Sequence, residues 1–246
     1  MSVPPVDGRV ALVTGGARGI GLEVCRLLAA EGMTVLLTAR DPSRAAEAAA
    51  GLSRDGADVR PLALDVTDDA SVAAAAATVR ADPGRLDVLV SNAASFADWG
   101  ETASGADLAA ARAVMETSLW GSWRVAQAFL PLLRESPHPR LVNVSSGGGS
   151  HGDPQFGLTT RRGAATGYGV AKAAVNALTA CLAAELADTP VIVNAVDPGL
   201  TATAPGMEEM GARPVPEGAA SVAWAALLPD DGPRGGSFRD GAPLPW

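Results

Sequence analysis

The chain has 246 residues, of which 48% are hydrophobic and 19% are charged, and it carries a formal net charge of −8. This length buries a substantial core without disulfides or metal staples, and the composition is typical of an ordinary soluble globular protein. An acidic surface repels phosphate backbones, so we expect no nucleic-acid partner.

The sequence also bears on location and on metals. Met1–Val10 holds no apolar signal segment and no apolar run is long enough to span a bilayer, so we expect a cytoplasmic protein without a membrane partner. Cys25 and Cys181 stand alone in apolar, helical contexts, and the sequence has no CxxC pair or histidine cluster. We therefore expect neither a disulfide nor a metal site. Abundant Ala, Arg, Gly and Pro suggest a GC-rich bacterial genome.

Short β-rich runs alternate with alanine-rich segments of helical periodicity. The predicted strands are Arg9–Val13, Thr34–Thr38, Val59–Leu64, Leu86–Val90, Arg140–Val144, Val191–Val196 and a short one near Gly236–Arg239. The predicted helices are Ile20–Glu31, Ser43–Leu52, Ala70–Arg80, Leu108–Leu133 and Tyr168–Leu186. Continuous Val/Leu/Ile strands are covered on both faces, so the βα alternation predicts an α/β fold: one domain, residues 1–246, with a doubly wound parallel sheet between helices.

A glycine-rich segment, Thr14-Gly-Gly-Ala-Arg-Gly-Ile-Gly21, joins the first strand to the first helix. Gly15, Gly19 and Gly21 let the backbone turn sharply and approach a diphosphate without Cβ clashes. The free N–H groups and dipole of the following helix then favour the negative charge. A purely structural turn is the alternative, but the strand–turn–helix context favours dinucleotide binding.

The end of the second strand bears on cofactor choice. NAD-binding folds place an acidic residue there, on the ribose 2′-hydroxyl. Thr38 and Ala39 supply no acid, whereas Arg40, helped by Arg18 of the first turn, is available for a 2′-phosphate. The sequence thus favours NADP(H) over NAD(H). The alternative is that Arg40 caps a helix or pairs with Asp41.

Tyr168 and Lys172 are four residues apart and share one helix face. A free tyrosine titrates near pH about 10, and a nearby ammonium and an oxidised nicotinamide lower its pKa, so that it exchanges a proton with an alcohol or carbonyl. Ser145 and Ser146 end the fifth strand, at the sheet edge where ligands bind. The YxxxK pattern alone is typical of a solvated helix face. Its position after this strand favours catalysis.

Several motifs together resemble the short-chain dehydrogenase/reductase family over nearly the whole chain. Besides the glycine-rich turn they are Asp65-Val66, Ser91-Asn-Ala-Ala94, Val144-Ser-Ser146, Tyr168-Gly-Val-Ala-Lys172 and Asp197-Pro-Gly199. Leu36–Asp41 and the ending Gly236–Trp246 resemble more narrowly the NADPH-dependent carbonyl reductase branch, which also has extra residues before the tyrosine.

The resemblance implies a Rossmann-like fold and an enzyme that transfers hydride between NADPH and a ketone, aldehyde or alcohol substrate. It implies that Tyr168 is the general acid or base and that Ser146 orients the substrate oxygen. It also implies that Lys172 lowers the pKa of Tyr168 and holds the nicotinamide ribose. It implies cofactor contacts from Gly15, Arg18, Gly19, Ile20, Gly21, Arg40, Asp65, Val66, Asn92, Ala93, Tyr168, Lys172, Pro198, Gly199 and Thr203. It also implies a homodimer or homotetramer, or a monomer where the extra residues block the shared helix face.

The sequence departs from the family in two places. Ser118 stands where the family has a fourth catalytic residue, an asparagine that supports a water in the proton relay. Because serine is shorter, we expect it to hold that water less well. The alternative is that Ser118 simply tolerates a helix kink. Tyr168 follows Ser146 by 22 residues, more than is usual. The added glycine-containing segment, about 147–165, is expected to be mobile and to border the substrate pocket rather than form a surface excursion.

The resemblance implies that residues 200–216 form the family's substrate lid. The segment is fairly short and contains Met207, Met210 and several alanines, which suggests a modest, partly apolar cover. Trp99, Trp120 and Trp123 are interpreted as packing residues, although Phe96 and Trp99 follow the fourth strand and have the crevice within reach.

Two further hypotheses stay open. One is an NADP(H)-binding sensor or scaffold with impaired catalysis, which Ser118 supports. The other is an imine or alkene reductase using the same proton and hydride delivery. The sequence names no substrate.

Overall fold

A computed structural model describes residues 8–54, 56–96 and 98–246; residues 1–7, part of the segment expected to lack a signal sequence, lie outside it. Its sheet has eight strands in the order β3-β2-β1-β4-β5-β6-β7-β8. Neighbours from β3 to β7 are parallel, and β8 is antiparallel to β7. The strands are β1 Val10–Val13, β2 Thr34–Ala39, β3 Val59–Ala63, β4 Val88–Ser91, β5 Arg140–Val144, β6 Ile192–Val196, β7 Ser237–Arg239 and β8 Ala242–Pro243.

Helices cover both faces of this sheet, and the predicted doubly wound α/β fold is confirmed. They are α1 Gly19–Ala30, α2 Pro42–Ser53, α3 Asp69–Ala81, α4 Leu108–Met115, α5 Gly121–Leu133, α6 Thr166–Glu185 and α7 Val215–Ala226. The predicted helix Leu108–Leu133 is continuous, but one π-helical turn, Glu116–Trp120, separates α4 from α5.

Side chains of the central strands alternate between two apolar layers. Leu12, Leu89 and Leu141 pack on one face, with α3, α5 and α6. Ala11 and Val88 pack on the other, with α1, α2 and α7. Every residue of β1, β4, β5 and β6 is therefore buried, which explains why these strands are mostly apolar.

The strand order reverses between β2 and β4, on either side of β1. Open α/β sheets bind ligands at such a reversal, outside the carboxyl ends of the strands. The ends of β1, β4, β5 and β6 meet at this edge, so the polar residues that follow them are brought together.

Two elements were not predicted. Helix α7 directly follows the expected lid, and Pro216 lies in its first turn, where a missing N–H costs little. Strand β8 has two residues, too few to produce a period-2 pattern. Among the described residues, no helix is both long and apolar enough to cross a membrane.

Candidate active site

A crevice opens at the carboxyl edge of the sheet, where the sequence predicts the site. Four segments line it: the glycine-rich turn with the start of α1, the residues after β4, the segment from the end of β5 into the first turn of α6, and the residues after β6. Lining residues that the text below uses are Arg18, Phe96, Trp99, Ser146, Phe156, Arg161, Tyr168, Asp197, Leu200, Thr203 and Met207.

The glycine-rich turn forms one wall through its backbone. Gly15 and Gly19 have φ of +63° and +53°, a region that favours glycine. A Cβ at Gly21 would overlap the carbonyl oxygen of Gly15 and lie 2.5 Å from Asn92 Nδ2. The first helical N–H groups receive no cap from the side chain of Arg18. This cradle without side chains, at an uncapped helix start, fits a diphosphate.

Asn92 and Ala93 hold this turn in place. The Asn92 Nδ2 donates to the carbonyl oxygens of Thr14 and Gly15, at 2.9 and 3.2 Å. The backbone N–H groups of Asn92 and Ala93 donate to Thr14 Oγ1, at 2.9 and 3.0 Å. The segment after β4 therefore fixes the shape of the turn from beneath.

Arg18 and Arg40 are both exposed, and within the described residues neither forms a salt bridge. Asp41 instead accepts hydrogen bonds from the N–H groups of Ser43 and Arg44 at the start of α2, so it is not paired with Arg40. The two guanidinium groups remain available to an anion.

Asp65 and Val66 follow β3 near Arg40. Hydrogen bonds from Thr67 lower the pKa of Asp65, and the charge of Arg40 lowers it further. Val66 is buried, and a Cβ at Gly121 would lie 2.7 Å from its Cγ2. Val66 thus spaces α5 from the sheet, whereas Asp65 is partly exposed and close enough to Arg40 to feel its charge.

Tyr168 lies in the first turn of α6 and Lys172 one turn later. Ser146 Oγ accepts from the Gly148 N–H at 3.1 Å. A Cβ at Gly148 would lie 3.3 Å from Ser146 Oγ and 3.8 Å from two ring carbons of Tyr168, so the two side chains are neighbours in the crevice. Lys172 is buried, its Nζ donates to the Val144 carbonyl oxygen at 2.7 Å, and it lies 5.7 Å from the centre of the Tyr168 ring. The structure therefore brings Ser146, Tyr168 and Lys172 together, as the motifs predict.

The protein's own groups shift both pKa values in the direction of the neutral forms. Burial raises the pKa of Tyr168. The neighbouring Ser146 hydroxyl lowers this pKa, and the negative charge of Asp197 raises it further. Burial lowers the pKa of Lys172 to about 8, against the opposing effect of Asp197. The expectation that Lys172 lowers the phenol pKa is thus outweighed here by desolvation.

Pro198, Gly199 and Thr203 continue from β6 along the same wall. Gly199 has φ of +69°, and its N–H donates to Asp197 Oδ1 at 2.8 Å. Thr203 is exposed, and its Cγ2 would lie 3.3 Å from a Cβ at Gly19. The lid segment therefore reaches across to the glycine-rich turn.

Ser118 lies in the π-helical turn, which packs against α6. Its side chain is 1% exposed, and within the described part of the chain its Oγ has no hydrogen-bond partner. The residue therefore lies at a helix irregularity, and its part in a proton relay stays a prediction.

An aromatic wall covers Tyr168. Phe96 stacks on the Tyr168 ring with centroids 5.1 Å apart, and Trp99 lies 5.4 Å from the same ring. The interpretation of Trp99 as a packing residue is wrong, because it lines the crevice and is half-exposed. Trp120 and Trp123 also lie outside the core, where they stack on each other at the surface.

Segment 147–165 forms another wall, through Phe156 and Arg161. Its glycines predict mobility, but the chain terminus anchors it. Ser150 Oγ donates to the Pro245 carbonyl oxygen at 2.6 Å, and the His151 N–H donates to that of Trp246 at 2.9 Å. Such contacts join residues that are far apart in sequence, so no local pattern predicts them.

Sequence reasoning also missed a charged group at the crevice floor. Arg239 of β7 donates to Asp197 Oδ2, at 2.8 Å from Nε and 2.5 Å from Nη2. The same Nη2 donates to Asp153 Oδ2 at 2.5 Å. The one available signal was an acidic residue immediately before Pro198-Gly199.

Comparisons with known proteins agree with this geometry. A family model described as short chain dehydrogenase matches residues 9–212. The chain belongs to this family, and it is an NAD(P)-dependent oxidoreductase.

Several relatives match over nearly their full length. "Short-chain dehydrogenase/reductase 1" of Saponaria officinalis is 34% identical over 92% of both chains. The (+)-neomenthol dehydrogenase of Arabidopsis thaliana is 33% identical over 94% of this chain and 95% of its own. The NADPH-bound carbonyl reductase from chicken fatty liver is 28% identical, with a TM-score of 0.83 over 98% of this chain and all of that chain. The resemblance to carbonyl reductases is confirmed.

Proposed function

We propose that this oxidoreductase is an NADPH-dependent carbonyl reductase that interconverts a ketone or aldehyde with its alcohol. One observation carries the proposal: the side chains of Ser146 and Tyr168 lie side by side in one crevice, with the Lys172 ammonium buried behind them. Two adjacent hydroxyls at the edge of a dinucleotide cradle suit a carbonyl oxygen that must be oriented and then protonated.

Each side chain then has one task. Ser146 donates a hydrogen bond that orients the substrate oxygen, and Tyr168 gives its phenolic proton to that oxygen during reduction and takes it back during oxidation. When bound, a nicotinamide would supply or accept the hydride at the carbonyl carbon. Lys172, fixed by the Val144 carbonyl, places a positive charge behind the phenol, where it would also hold the nicotinamide ribose. Ser118 is the departure from the family in this mechanism, because it is shorter than the asparagine that supports the relay water.

The cofactor is proposed to be NADP(H). Gly15, Gly19 and Gly21 leave the space that a diphosphate needs. Arg18 and Arg40, which form no salt bridge with any residue in 8–54, 56–96 and 98–246, suit a 2′-phosphate. The NADPH-bound carbonyl reductase with a similar fold supports this choice. The further cofactor contacts proposed are Ile20, Asp65, Val66, Asn92, Ala93, Pro198, Gly199 and Thr203.

The substrate is proposed to be a bulky, mainly apolar carbonyl compound. Phe96, Trp99 and Phe156 offer flat aromatic surfaces, and Leu200 and Met207 add aliphatic ones. Apolar walls around a few convergent polar groups are typical of small-molecule sites. The relative named (+)-neomenthol dehydrogenase fits such a preference.

Replacing Tyr168 tests the mechanism. Tyr168 is the single tyrosine of the chain, so Tyr168→Phe leaves no other phenol. We expect turnover to fall by about 100-fold or more while the Kd for NADPH, measured by fluorescence, is kept. Trp123→Phe, an aromatic change outside the crevice, is the matched control. Turnover of Tyr168→Phe at the wild-type rate would disprove the role.

A substrate panel separates this function from its alternatives. Ketones, aldehydes, imines and activated alkenes are offered with NADPH and with NADH, and cofactor oxidation is followed at 340 nm. Turnover of carbonyls with NADPH supports the proposal. Binding of NADPH without turnover of any class identifies the sensor or scaffold, and turnover restricted to imines or alkenes identifies the other reductase.

Organisation at a larger scale is also a proposal. We infer that residues 1–246 act as one domain, with segment 147–165 and a lid at about 200–216 around its site. A homodimer or homotetramer is expected from the family, with a monomer as the alternative, and sedimentation velocity distinguishes the three.

A further inference from the structure

Three charged side chains form a cluster beneath the crevice, here called the acid–arginine–acid cluster: Asp153, Asp197 and Arg239. Their side chains come from segment 147–165, the end of β6 and β7. Both carboxylates are buried, with side-chain exposures of 0% and 3%, and Arg239 is 24% exposed. Two carboxylates share one guanidinium, so the cluster has a net charge of −1.

The remaining carboxylate oxygens are also satisfied. Asp197 Oδ1 accepts from the Gly199 N–H at 2.8 Å. Asp153 Oδ1 accepts from the N–H groups of Gln155 and Phe156, both at 2.8 Å. Buried charges persist only with such partners, so these carboxylates are held in fixed positions.

The cluster touches the residue next to Ser146. A Cβ on Gly147 would lie 2.5 Å from Arg239 Nη2 and from Asp153 Oδ2, and 3.1 Å from Asp197 Oδ2. The turn that carries Ser146 therefore rests directly on the three charges. A change in the cluster is transmitted over a single residue to the proposed substrate-orienting hydroxyl.

The two carboxylates differ in their electrostatic effect on Tyr168 and Lys172. The charge of Asp197 raises the pKa of both the phenol and the ammonium. Among the described residues, Asp153 contributes to neither. The two ends of the cluster thus have similar partners but different electrostatic effects.

We propose that Asp197 is a positioning residue for proton delivery: Arg239 and Gly199 fix its carboxylate in the crevice that Tyr168 also lines, and its charge sets the pH range over which the site works. The negative charge favours the ammonium of Lys172 over the neutral amine and the phenol of Tyr168 over the phenolate. Both effects keep the pair ready for the reductive direction. The inference rests on the proposed function, but its first test does not require turnover.

Other charged groups lie in or near the crevice. Arg18 and Arg161 line it, Glu101 accepts from the Gly167 N–H at the start of α6, and Arg213, paired with Asp240, lies beside Gly199. They remain in every variant below, so they form a constant background. Only the cluster itself is changed.

The sequence offers an unusually direct measurement. Lys172 is the single lysine of the chain, so lysine labelled with ¹³C at Cε gives one side-chain signal in NMR. The chemical shift of that signal follows the ammonium as it titrates, and the pKa of about 8 lies within an accessible range. The titration is made on the full chain, alone and saturated with NADP⁺.

Asp197→Asn and Asp153→Asn form the matched pair. Each removes one negative charge and leaves Arg239 paired with the other carboxylate. We expect Asp197→Asn to lower the measured pKa of Lys172 by about one unit, and Asp153→Asn to leave it unchanged. Asp197→Ser is a second neutral variant if Asp197→Asn does not fold, as judged by circular dichroism. An unchanged titration in a folded neutral Asp197 variant, or an equal shift in Asp153→Asn, overturns the inference.

The pH profile of kcat/KM for carbonyl reduction is the second readout. The alkaline limb is expected to move to lower pH in Asp197→Asn, with the Kd for NADPH at pH 6 unchanged. A wild-type protein without turnover refutes the proposed function, whereas the NMR titration still decides the role of Asp197. A moved titration with an unmoved profile shows that the charge acts on Lys172 without setting the working pH, and so also overturns the inference.

Discussion

The two walls of the crevice are built by different means. The wall proposed to bind the cofactor, here the cofactor wall, consists of backbone: Gly15, Gly19 and Gly21 contribute no side chains, and Asn92 holds the turn from beneath. The wall proposed to bind the substrate, here the substrate wall, consists of side chains, with Phe96, Trp99 and Phe156 above a buried charge cluster. A backbone wall tolerates few substitutions, whereas a wall of side chains allows the pocket to change while the cradle stays the same. The predictions below test this difference.

The strongest effect is expected at the cofactor wall. In Gly21→Ala the new methyl group meets Asn92 Nδ2 and the Gly15 carbonyl, both of which are held by the fold. Overpacking of this kind costs about 1–3 kcal/mol, and we expect the Kd for NADPH to rise by about tenfold or more because the cradle widens.

Gly51→Ala is the control for this substitution. Gly51 lies in the exposed helix α2, and a Cβ there meets nothing within 4 Å. Because alanine is a better helix former than glycine, we expect the free energy of unfolding to rise by up to about 1 kcal/mol. The Kd for NADPH should stay unchanged. Urea denaturation and fluorescence titration measure both. Equal losses of affinity in the two variants would contradict the account of the cradle.

The next effect concerns the phosphate end of the same wall. Arg40→Gln is expected to weaken NADPH binding by about tenfold or more, because a hydrogen bond between charged groups contributes about 1.5–3 kcal/mol. NADH, which has no 2′-phosphate, should bind as before. Arg44→Gln is the control, since Arg44 is a similarly exposed arginine that pairs with Asp41. A parallel loss for both cofactors would show that Arg40 does not read the 2′-phosphate.

The substrate wall should respond in KM rather than in cofactor binding. Trp99→Ala removes one of the two rings that cover Tyr168, and we expect KM for a bulky apolar ketone to rise by about tenfold with the Kd for NADPH kept. Trp123→Ala, at an exposed surface position, is the control. An unchanged KM in Trp99→Ala would mean that substrates do not contact this wall.

The difference between the two walls also explains which parts of the molecule could be predicted from the sequence. The cradle follows from residues within one strand–turn–helix unit, and Tyr168 and Lys172 are a short pattern on one helix. The alternation of apolar strands and alanine-rich helices predicts the sheet, and all six longer strands and all five helices are present, with one helix carrying a π-helical turn.

The substrate wall could not be predicted in the same way. Arg239 and Asp153 are 86 residues apart, and the contact between them depends on the complete sheet. Trp99 follows an irregular segment without helix or strand periodicity, so the sequence does not indicate which way its side chain points. Helix α7 was missed because small residues and Pro216 blur its apolar face. Long-range charge pairs and loop aromatics are decided by tertiary structure, which local propensity does not contain.

The smallest effect expected is a change in acid stability at the substrate wall. Burial disfavours the charged form of Asp153, but hydrogen bonds from Phe156, Gln155 and Arg239 outweigh it and hold the pKa below its usual range. A carboxylate with a lowered folded-state pKa stabilises the fold above its unfolded pKa of about 3.9, and this contribution is lost as the pH falls through the folded value.

Asp153→Asn should therefore be less stable than the wild type at pH 7, and the difference should narrow towards pH 3. Urea denaturation at intervals between these limits measures it. Gln155 is the natural site for the control: Gln155→Ala keeps its backbone N–H, which is the group that Asp153 accepts from, so its stability should follow the wild-type pH dependence. If Asp153→Asn and the wild type instead lose stability in parallel on acidification, the hydrogen bonds to Asp153 do not favour its charged form. The charge cluster would then support the substrate wall only by packing, and its charge would not contribute. In that respect the substrate wall would resemble the cofactor wall, where the glycines act by the space that they leave.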